Sequence, residues 1–498
     1  MISWNRFSAE IRLMILETVL HNGCNLASIA TVSQEWQRVI EKHNFSRIRL
    51  TPSRLPGFRA IYRNRSLVRY IWFCLELEEY DCTGCSPRDP ELWDLSEMDN
   101  SLITKGLEDL FSVLSVWQPG GDLTLDISVY SPSDSQHGFK YLTFEPDTVS
   151  ETQDEHRLVV ERPMLSKPCS GAGGPSATRT FEAICKVFGE IMSDSPFDND
   201  EQERRWWQQL PLVPIVTRVL LRQQTRRRWR PYTLTQMFTR MPRLQEVHYE
   251  PWKEWLHTDI QQRWTDEVLQ TLLEAPFLAR LRKLVLFENF NTVYPASFGI
   301  FNSDPRRITS ASMGRALVKA SLDLDSLSAS FLVDAVDFFE ETRGRCLKWP
   351  NLRSLALTSE LLRPAKNPTK LDDMLRAAAA TALNMPNLET MELWNGLEEK
   401  AMLVRYRRAR LRRPATIEWK GTWEMTLSDP VIEAWDAVAL RHSNRACVTI
   451  GELVVTATPI RSHGDAIRLL GLSEMVIRPV SLRQILREDT IREEMEDD

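Results

Sequence analysis

Cys82-Thr83-Gly84-Cys85 has the spacing of half a structural zinc site, in which two thiolates one turn apart hold one side of a tetrahedral ion. No second Cys-x-x-Cys and no His pair stands at a suitable distance, so a loop with two unrelated cysteines is the simpler reading. The eight histidines are dispersed, and none falls into His-Glu-x-x-His. Gly171-Ala172-Gly173-Gly174 is dense enough in glycine to suggest a phosphate cradle, but no Gly-Lys-Ser/Thr follows and no clear strand precedes it. Nucleophile elbows and dinucleotide fingerprints are also missing. The sequence predicts no catalytic residue, no metal and no cofactor, which is the pattern of a non-enzymatic protein.

What remains is charge. Arg226-Arg227-Arg228-Trp229-Arg230, with Arg222 just before it, is the most concentrated basic run. Guanidinium beside an indole suits phosphate and stacked bases. A second basic segment, Arg405 to Arg413, reads as helix-like and ends at Pro414. The plainest use of both is as exposed faces answering the acidic stretches elsewhere; an acidic protein partner comes next and nucleic acid last. Phe287 to Pro295 follows a strand directly, so Phe290 and Tyr294 are candidates for a partner-facing rim loop.

These residues must be held by a body, and the body has a theme. Leu67 to Leu77 reads as a buried strand, after which an apolar, two others, an apolar, one other and an apolar recur. The members are Val216-Val219-Leu221, Leu244-Val247-Tyr249, Leu281-Leu284-Leu286, Leu352-Leu355-Leu357, Leu388-Met391-Leu393 and Ile450-Leu453-Val455. Leu324-Leu327-Ala329 and the alternating Leu123-Leu125-Ile127-Val129 are weaker ones. In each, the last two apolar residues point to one side of a short strand while the first tucks under from the preceding turn. From Val216 to Leu388 the spacing runs from 28 to 43 residues, long enough for strand, turn, helix and return. Pro242, Pro350 and Pro386 end the preceding helix just before three of the strands. The expectation is a parallel sheet of stacked strand-helix units, an irregular leucine-rich-repeat-like horseshoe; the alternative is a general α/β domain.

The first forty residues read differently. Ile11, Ile15 and Val19 fall four apart, as do Leu16 and Leu20, which sets two apolar rows on one short helix. Ser8 caps it, Glu10 suits its first turn, and His21-Asn22-Gly23 stops it. Asn25 opens a second, short helix; Ser33 and Glu35 open a third, whose Trp36, Val39 and Ile40 share a face. Three helices in about forty residues make a marginal core, and the surplus apolar rows call for a partner.

Phe7-Ser8-Ala9-Glu10-Ile11, Ile15-Leu16, Leu20 and Val32-Ser33-Gln34-Glu35-Trp36 together resemble the F-box. Phe7-Ser8 stands where that family has Leu-Pro, which shapes the first turn differently. The resemblance implies docking on a Skp-type adaptor of a cullin-RING ubiquitin ligase through Phe7, Ile11, Ile15, Leu16, Leu20, Val32, Trp36 and Val39. The body has its own likeness: Gln223 to Trp229, Leu244 to Trp252, Phe287 to Asn291 and Trp419 to Glu424 resemble a family of filamentous-fungal F-box proteins whose C-terminal region has no known function.

The whole chain fits this picture. Its 498 residues hold 43% hydrophobic and 26% charged residues, ordinary for a globular protein, and a net charge of −6 is too mild to imply nucleic acid or an anionic membrane. No stretch reaches the roughly 18 uninterrupted apolar residues of a membrane helix. Eight scattered cysteines suit a reducing compartment, so the cytoplasm or nucleus is expected. The expected fold class is α/β, with a helical F-box over 1–50, a repeat-like domain over 51–485 interrupted by a mobile insertion near 131–176, a solvated connector over 194–203, and a charged tail over 486–498. The expected function is the substrate receptor of an SCF-type ubiquitin ligase, its protein substrate held by the body. The alternative is a scaffold or nucleic-acid-binding repeat protein that uses Arg226 to Arg230.

Overall fold

The computed structural model describes the chain except residues 1–3, 5–6, 22–25, 60–62, 82–83, 90–91, 119, 137–138, 140–141, 148–176, 194, 254–265, 267–268, 292–305, 365–366, 411–412, 456–458, 473–474 and 497–498. The glycine-rich stretch with the rest of the expected insertion from 148 to 176, Cys82 and Tyr294 lie outside the described residues.

Three helices form the head: α1 (Ala9–His21), α2 (Leu26–Ile29) and α3 (Gln34–Ser46). Ser33 caps α3, its Oγ accepting from the Trp36 backbone N–H at 3.3 Å. Strand β1 (Arg47–Leu50) follows without a break and is already the first strand of the sheet, so the helical head ends at Ser46.

Among the described residues the body is a mixed α/β structure built on a sheet of twelve strands: β1, β2 (Tyr70–Glu76), β3 (Leu123–Tyr130), β5 (Val216–Leu221), β7 (Glu246–Tyr249), β8 (Lys283–Phe287), β9 (Ser326–Asp334), β10 (Ser354–Thr358), β11 (Thr390–Leu397), β12 (Lys400–Arg407), β13 (Ala415–Gly421) and β14 (Cys447–Leu453). Two further strands, β4 (Glu190–Ile191) and β6 (Arg228–Trp229), pair with each other in a small separate ladder. The twelve lie side by side in chain order, parallel from β1 to β11, with two antiparallel pairings through β12 and a parallel one between β13 and β14.

The recurring pattern explains the register. Ile71, Leu125, Val219, Val247, Leu284, Leu327, Leu355 and Met391 stand opposite one another across eight strands. A one-residue slip would turn this whole row out of the core. The first apolar residue of each unit, as in Leu244, Leu281, Leu324, Leu352 and Leu388, is buried in the turn ahead of its strand.

Helices return over one face: α4 (Leu55–Arg59), α5 (Glu97–Ser115), α7 (Asp200–Gln209), α8 (Pro231–Thr239), α9 (Ala311–Ser321), α10 (Ala335–Thr342), α11 (Pro368–Ala382) and α12 (Asp429–Ser443), while α6 (Ala177–Val187) belongs to a separate apolar cluster with Trp252. With the strands the returning helices form one continuous apolar core, from Leu50 and Leu107 through Trp207, Phe238, Leu317, Phe338 and Ala378 to Trp435. The helices α9 and α10 cross so closely that a Cβ on Gly314 would lie 2.8 Å from the Asp337 carbonyl oxygen. Among the described residues, no helix is long and apolar enough to cross a membrane.

Four local expectations are corrected. Arg405 to Arg407 end strand β12 instead of opening a helix, because Tyr406 is buried against Trp435 and its neighbours alternate with it across the sheet. Residues 200–203 begin α7, capped by Asn199, and α7 buries Glu203 and Trp207. Ile450, Leu453 and Val455 carry the repeat spacing, but β14 is the last strand of the sheet and, among the described residues, nothing packs beyond it to bury them. The charged end is not a free tail: α14 (Pro479–Glu496) runs through it.

Candidate functional site

Two regions place functional side chains: the head, and a buried polar layer on the face of the sheet opposite the returning helices.

In the head, α1 turns apolar residues to more than one side. Leu16 is buried and Ile15, Val19 and Leu20 are half-buried, while Ile11, Leu13 and Met14 on α1 and Val32 before α3 are between 46% and 66% exposed. Ile11 and Met14 lie three apart on one side of the helix. Phe7, Trp36 and Val39 are half-buried. Trp4 closes the bundle, its ring 5.2 Å from Trp36 and its Nε1 donating to Glu35 Oε2 at 3.0 Å, where Arg12 also pairs at 3.3 Å. Ser8 holds the Glu10 carboxyl below the usual range by a hydrogen bond, as suits the start of a helix. Of the eight side chains the sequence assigns to partner docking, Ile11 and Val32 are open, Leu16 belongs to the head's own core, and the other five are partly covered.

The polar layer starts with the basic run, and here the expectation of an exposed rim is overturned. Arg226 and Arg227 are buried. The Arg227 guanidinium meets Asp134 with both Nη atoms, at 2.5 and 3.1 Å, and Arg226 pairs with Glu488 of α14 while lying 4.0 Å over the Trp252 ring. Trp229 is buried, Arg228 is half-buried in the short β6 ladder, and Arg230 binds Asp200 at 2.6 Å and Glu203 at 3.3 Å. Arg226, Arg227 and Arg230 can be drawn inside because neighbouring elements bring Glu488, Asp134, Asp200 and Glu203 to them.

Around it the second face of β3 to β9 is equally polar. Asp126 on β3 accepts from Tyr70 Oη at 2.5 Å and pairs with Arg222 at 2.8 Å. Burial drives the Asp126 carboxyl pKa up against the pull of Arg222. Glu250 accepts from the backbone N–H of Gln223 and of Arg478, at 3.2 and 3.1 Å, and from Ser481 Oγ at 2.5 Å; burial raises its pKa too. Arg478 also reaches Asp147 at 2.6 Å. Gln223 is the hub: its Nε2 donates to the Ser481 carbonyl, its Oε1 accepts from Asn289, and its carbonyl accepts from Trp252 Nε1.

Asn289 in turn meets His463 Nε2 at 2.8 Å, at the start of α13 (His463–Leu470). Phe290 is not a rim residue; its ring lies tilted against His463 at 4.5 Å and meets Phe331 edge-on at 4.8 Å. It belongs to a second apolar cluster in which Ile460, Ile467, Leu470, Val476 and Ile485 seal Phe287, Ala356, Trp394 and Leu403. Thus α13 covers the second face mainly with apolar side chains, and α14 covers it mainly with hydrogen bonds and ions.

Sequence reasoning missed Glu250, Asn289, His463, Arg478 and Glu488. Three of the four phrases that carry the fungal resemblance, Gln223 to Trp229, Leu244 to Trp252 and Phe287 to Asn291, meet in this layer; their polar residues just past strand ends were its only signal. Among the described residues no group of three metal-ligating side chains converges.

Residues 275–478 match the model of a family described as of unknown function, DUF6546. That span begins just before β8 and runs through β14 and α13 to Arg478, so it takes in the second half of the sheet and the apolar part of its cover. No curated protein matches the chain.

Proposed function

We propose that the protein is the substrate-receptor subunit of an SCF-type ubiquitin ligase, with a fungal F-box head that docks on a Skp-type adaptor and a leucine-rich-repeat-like body that holds a protein substrate. One observation carries the reading: Ile11, Leu13, Met14 and Val32 are exposed on a three-helix head whose chain then enters the edge of a large sheet. Apolar side chains gathered in so small a unit are a docking surface in a soluble complex. The strictly sequential strand order and the aligned apolar row support the repeat-like description of the body, because units that contact only their neighbours produce that order. The cytoplasm or nucleus is the compartment in which such a complex works.

The nucleic-acid alternative loses its main support, since Arg226 and Arg227 are spent on Asp134 and Glu488 inside the protein. The test is co-purification of the full chain with a Skp-type adaptor, beside an Ile11→Asp, Val32→Asp variant. Both side chains are exposed, so the variant keeps its circular dichroism while adaptor recovery falls at least tenfold. Equal recovery of the two proteins sinks the proposal.

A further inference from the structure

Among the described residues, no strand pairs with the outer side of β1 or of β14, the two end strands of the sheet, and the two are protected differently. At one, β1 is four residues long and carries Arg47 and Arg49. Short length and positive charge are the usual defences of an edge strand. At the other, β14 is seven residues long, contains no proline and no Lys or Arg, and has Glu452 as its one charge. That charge is already committed, 3.1 Å from Lys420 on the neighbouring strand.

The flanking side chains are apolar on both faces. Val448 and Ile450 stand beside Thr416 and Glu418 on the second face, which α13 covers over β11 and β12. Leu453 shares the opposite face with Gly451, whose position is pressed against Trp419. Together with Val455 just beyond the strand, these side chains are between 43% and 90% exposed. In a parallel pairing such as β13 with β14, alternate backbone N–H and C=O groups of the outer strand point away from the sheet. An extended chain is the one partner that satisfies both this row and the apolar residues beside it.

We propose that β14 is a self-association edge, where two copies of this chain pair their β14 strands antiparallel about a two-fold axis normal to the sheet. Such a symmetric pairing is closed and self-complementary, so it stops at two copies. The charge pattern permits it with the axis at Ile450: Ile450 then meets its own copy and Glu452 faces Val448, so no carboxylate opposes a carboxylate. A strand pair with a few apolar side chains buries less than a standard interface, so a dissociation constant on the order of micromolar is expected.

The experiment is sedimentation velocity of the full chain across about 1 to 100 µM, expected to show a monomer–dimer equilibrium. Ile450→Lys sets like charges opposite one another and should weaken association at least tenfold, with an unchanged melting profile. In a second arm, Ile450→Cys under mild oxidation should yield a covalent dimer, read by mass spectrometry of the linked peptide, which removes any dependence on the lysine variant's folding. A monomer at every concentration, a dimer indifferent to Ile450→Lys and free of the 450–450 link, or open-ended polymers would each overturn the proposal.

Discussion

His463 lies fully buried at the first turn of α13, with Phe290 4.5 Å away and its Nε2 on Asn289. Burial lowers its pKa to about 3, and a helix N-terminus also repels a cation. His248, buried beside Glu246, is held down at about 4 by the same desolvation, against the pull of the Glu246 carboxylate. In the unfolded chain both titrate near 6.5. Between these values the folded protein binds fewer protons than the unfolded one, so each histidine contributes stability that is complete above about pH 6.5 and is lost as pH falls. Raised carboxylates such as Asp126 and Glu250 work in the opposite sense, and a variant isolates the histidine. His463→Gln keeps a donor for Asn289 and does not titrate. Urea unfolding should therefore show the stability of the variant rising relative to the original by about 1–2 kcal/mol between pH 7.5 and pH 5. Parallel pH profiles would remove His463 from the account.

Ion pairs on this protein are far from equal. Arg353–Glu389 is largely exposed and worth at most about 1 kcal/mol. Arg227–Asp134 is buried on both sides, and Asp134 also accepts from Tyr80 Oη and the Ser131 N–H. Arg227→Ala leaves a buried carboxylate with no counter-charge and should cost about 3–5 kcal/mol in chemical unfolding. A second measurement separates this from a ligand-binding role: retention on immobilised RNA, weak in both proteins, should show the same salt dependence before and after the substitution.

At the scale of elements, the sheet was legible where burial is on one side and periodic. The spacing of Leu352, Leu355 and Leu357 states a turn, a strand and a face, and the strand register follows from it. Charge-rich segments misled because sequence shows the charge and hides its partner. Arg405 to Arg407 looked like a solvated helix, yet Arg405 reaches Glu392 and Glu418 across two strands, at 2.8 and 3.0 Å. The charged end of the chain looked like a tail for the same reason, since Arg226 is 262 residues from Glu488. The attachment of α14 by this pair is measurable. In a cycle of Arg226→Ala, Glu488→Ala and the double variant, each single change strands a buried charge. The double variant should then be less destabilised than the sum of the two by about 1–3 kcal/mol. Additive losses would mean that α14 is held by its other contacts alone.

The whole molecule combines two kinds of cohesion. A stack of strand-helix units is held chiefly by contacts between neighbours, and such arrays lose cooperativity when one interface fails. The continuous core from Leu50 to Trp435 has this nearest-neighbour character. The C-terminal segment adds contacts that ignore the sequence of units: Gln484 accepts from the Thr143 N–H at 3.0 Å, Arg478 reaches Asp147, Ser481 joins Gln223 and Glu250, and Ile485 packs in the cluster with Trp394. The segment from Arg478 onward thereby touches residues that follow β3, β5 and β7 and packs on α13, which covers β11 and β12, and so couples the two halves of the sheet. The intact chain should unfold in urea as one transition, seen alike by hydrogen exchange at β2–β3 and at β11–β12. A chain ended after Ile477 keeps every strand and its helix-covered core, but loses the whole of α14. Its exchange-derived stabilities at the two ends should diverge, with the β3–β7 region opening at lower urea because the polar layer there loses Arg478, Ser481 and Glu488 together. If both ends still open at the same urea concentration, the core alone supplies the cooperativity and α14 is only a cover.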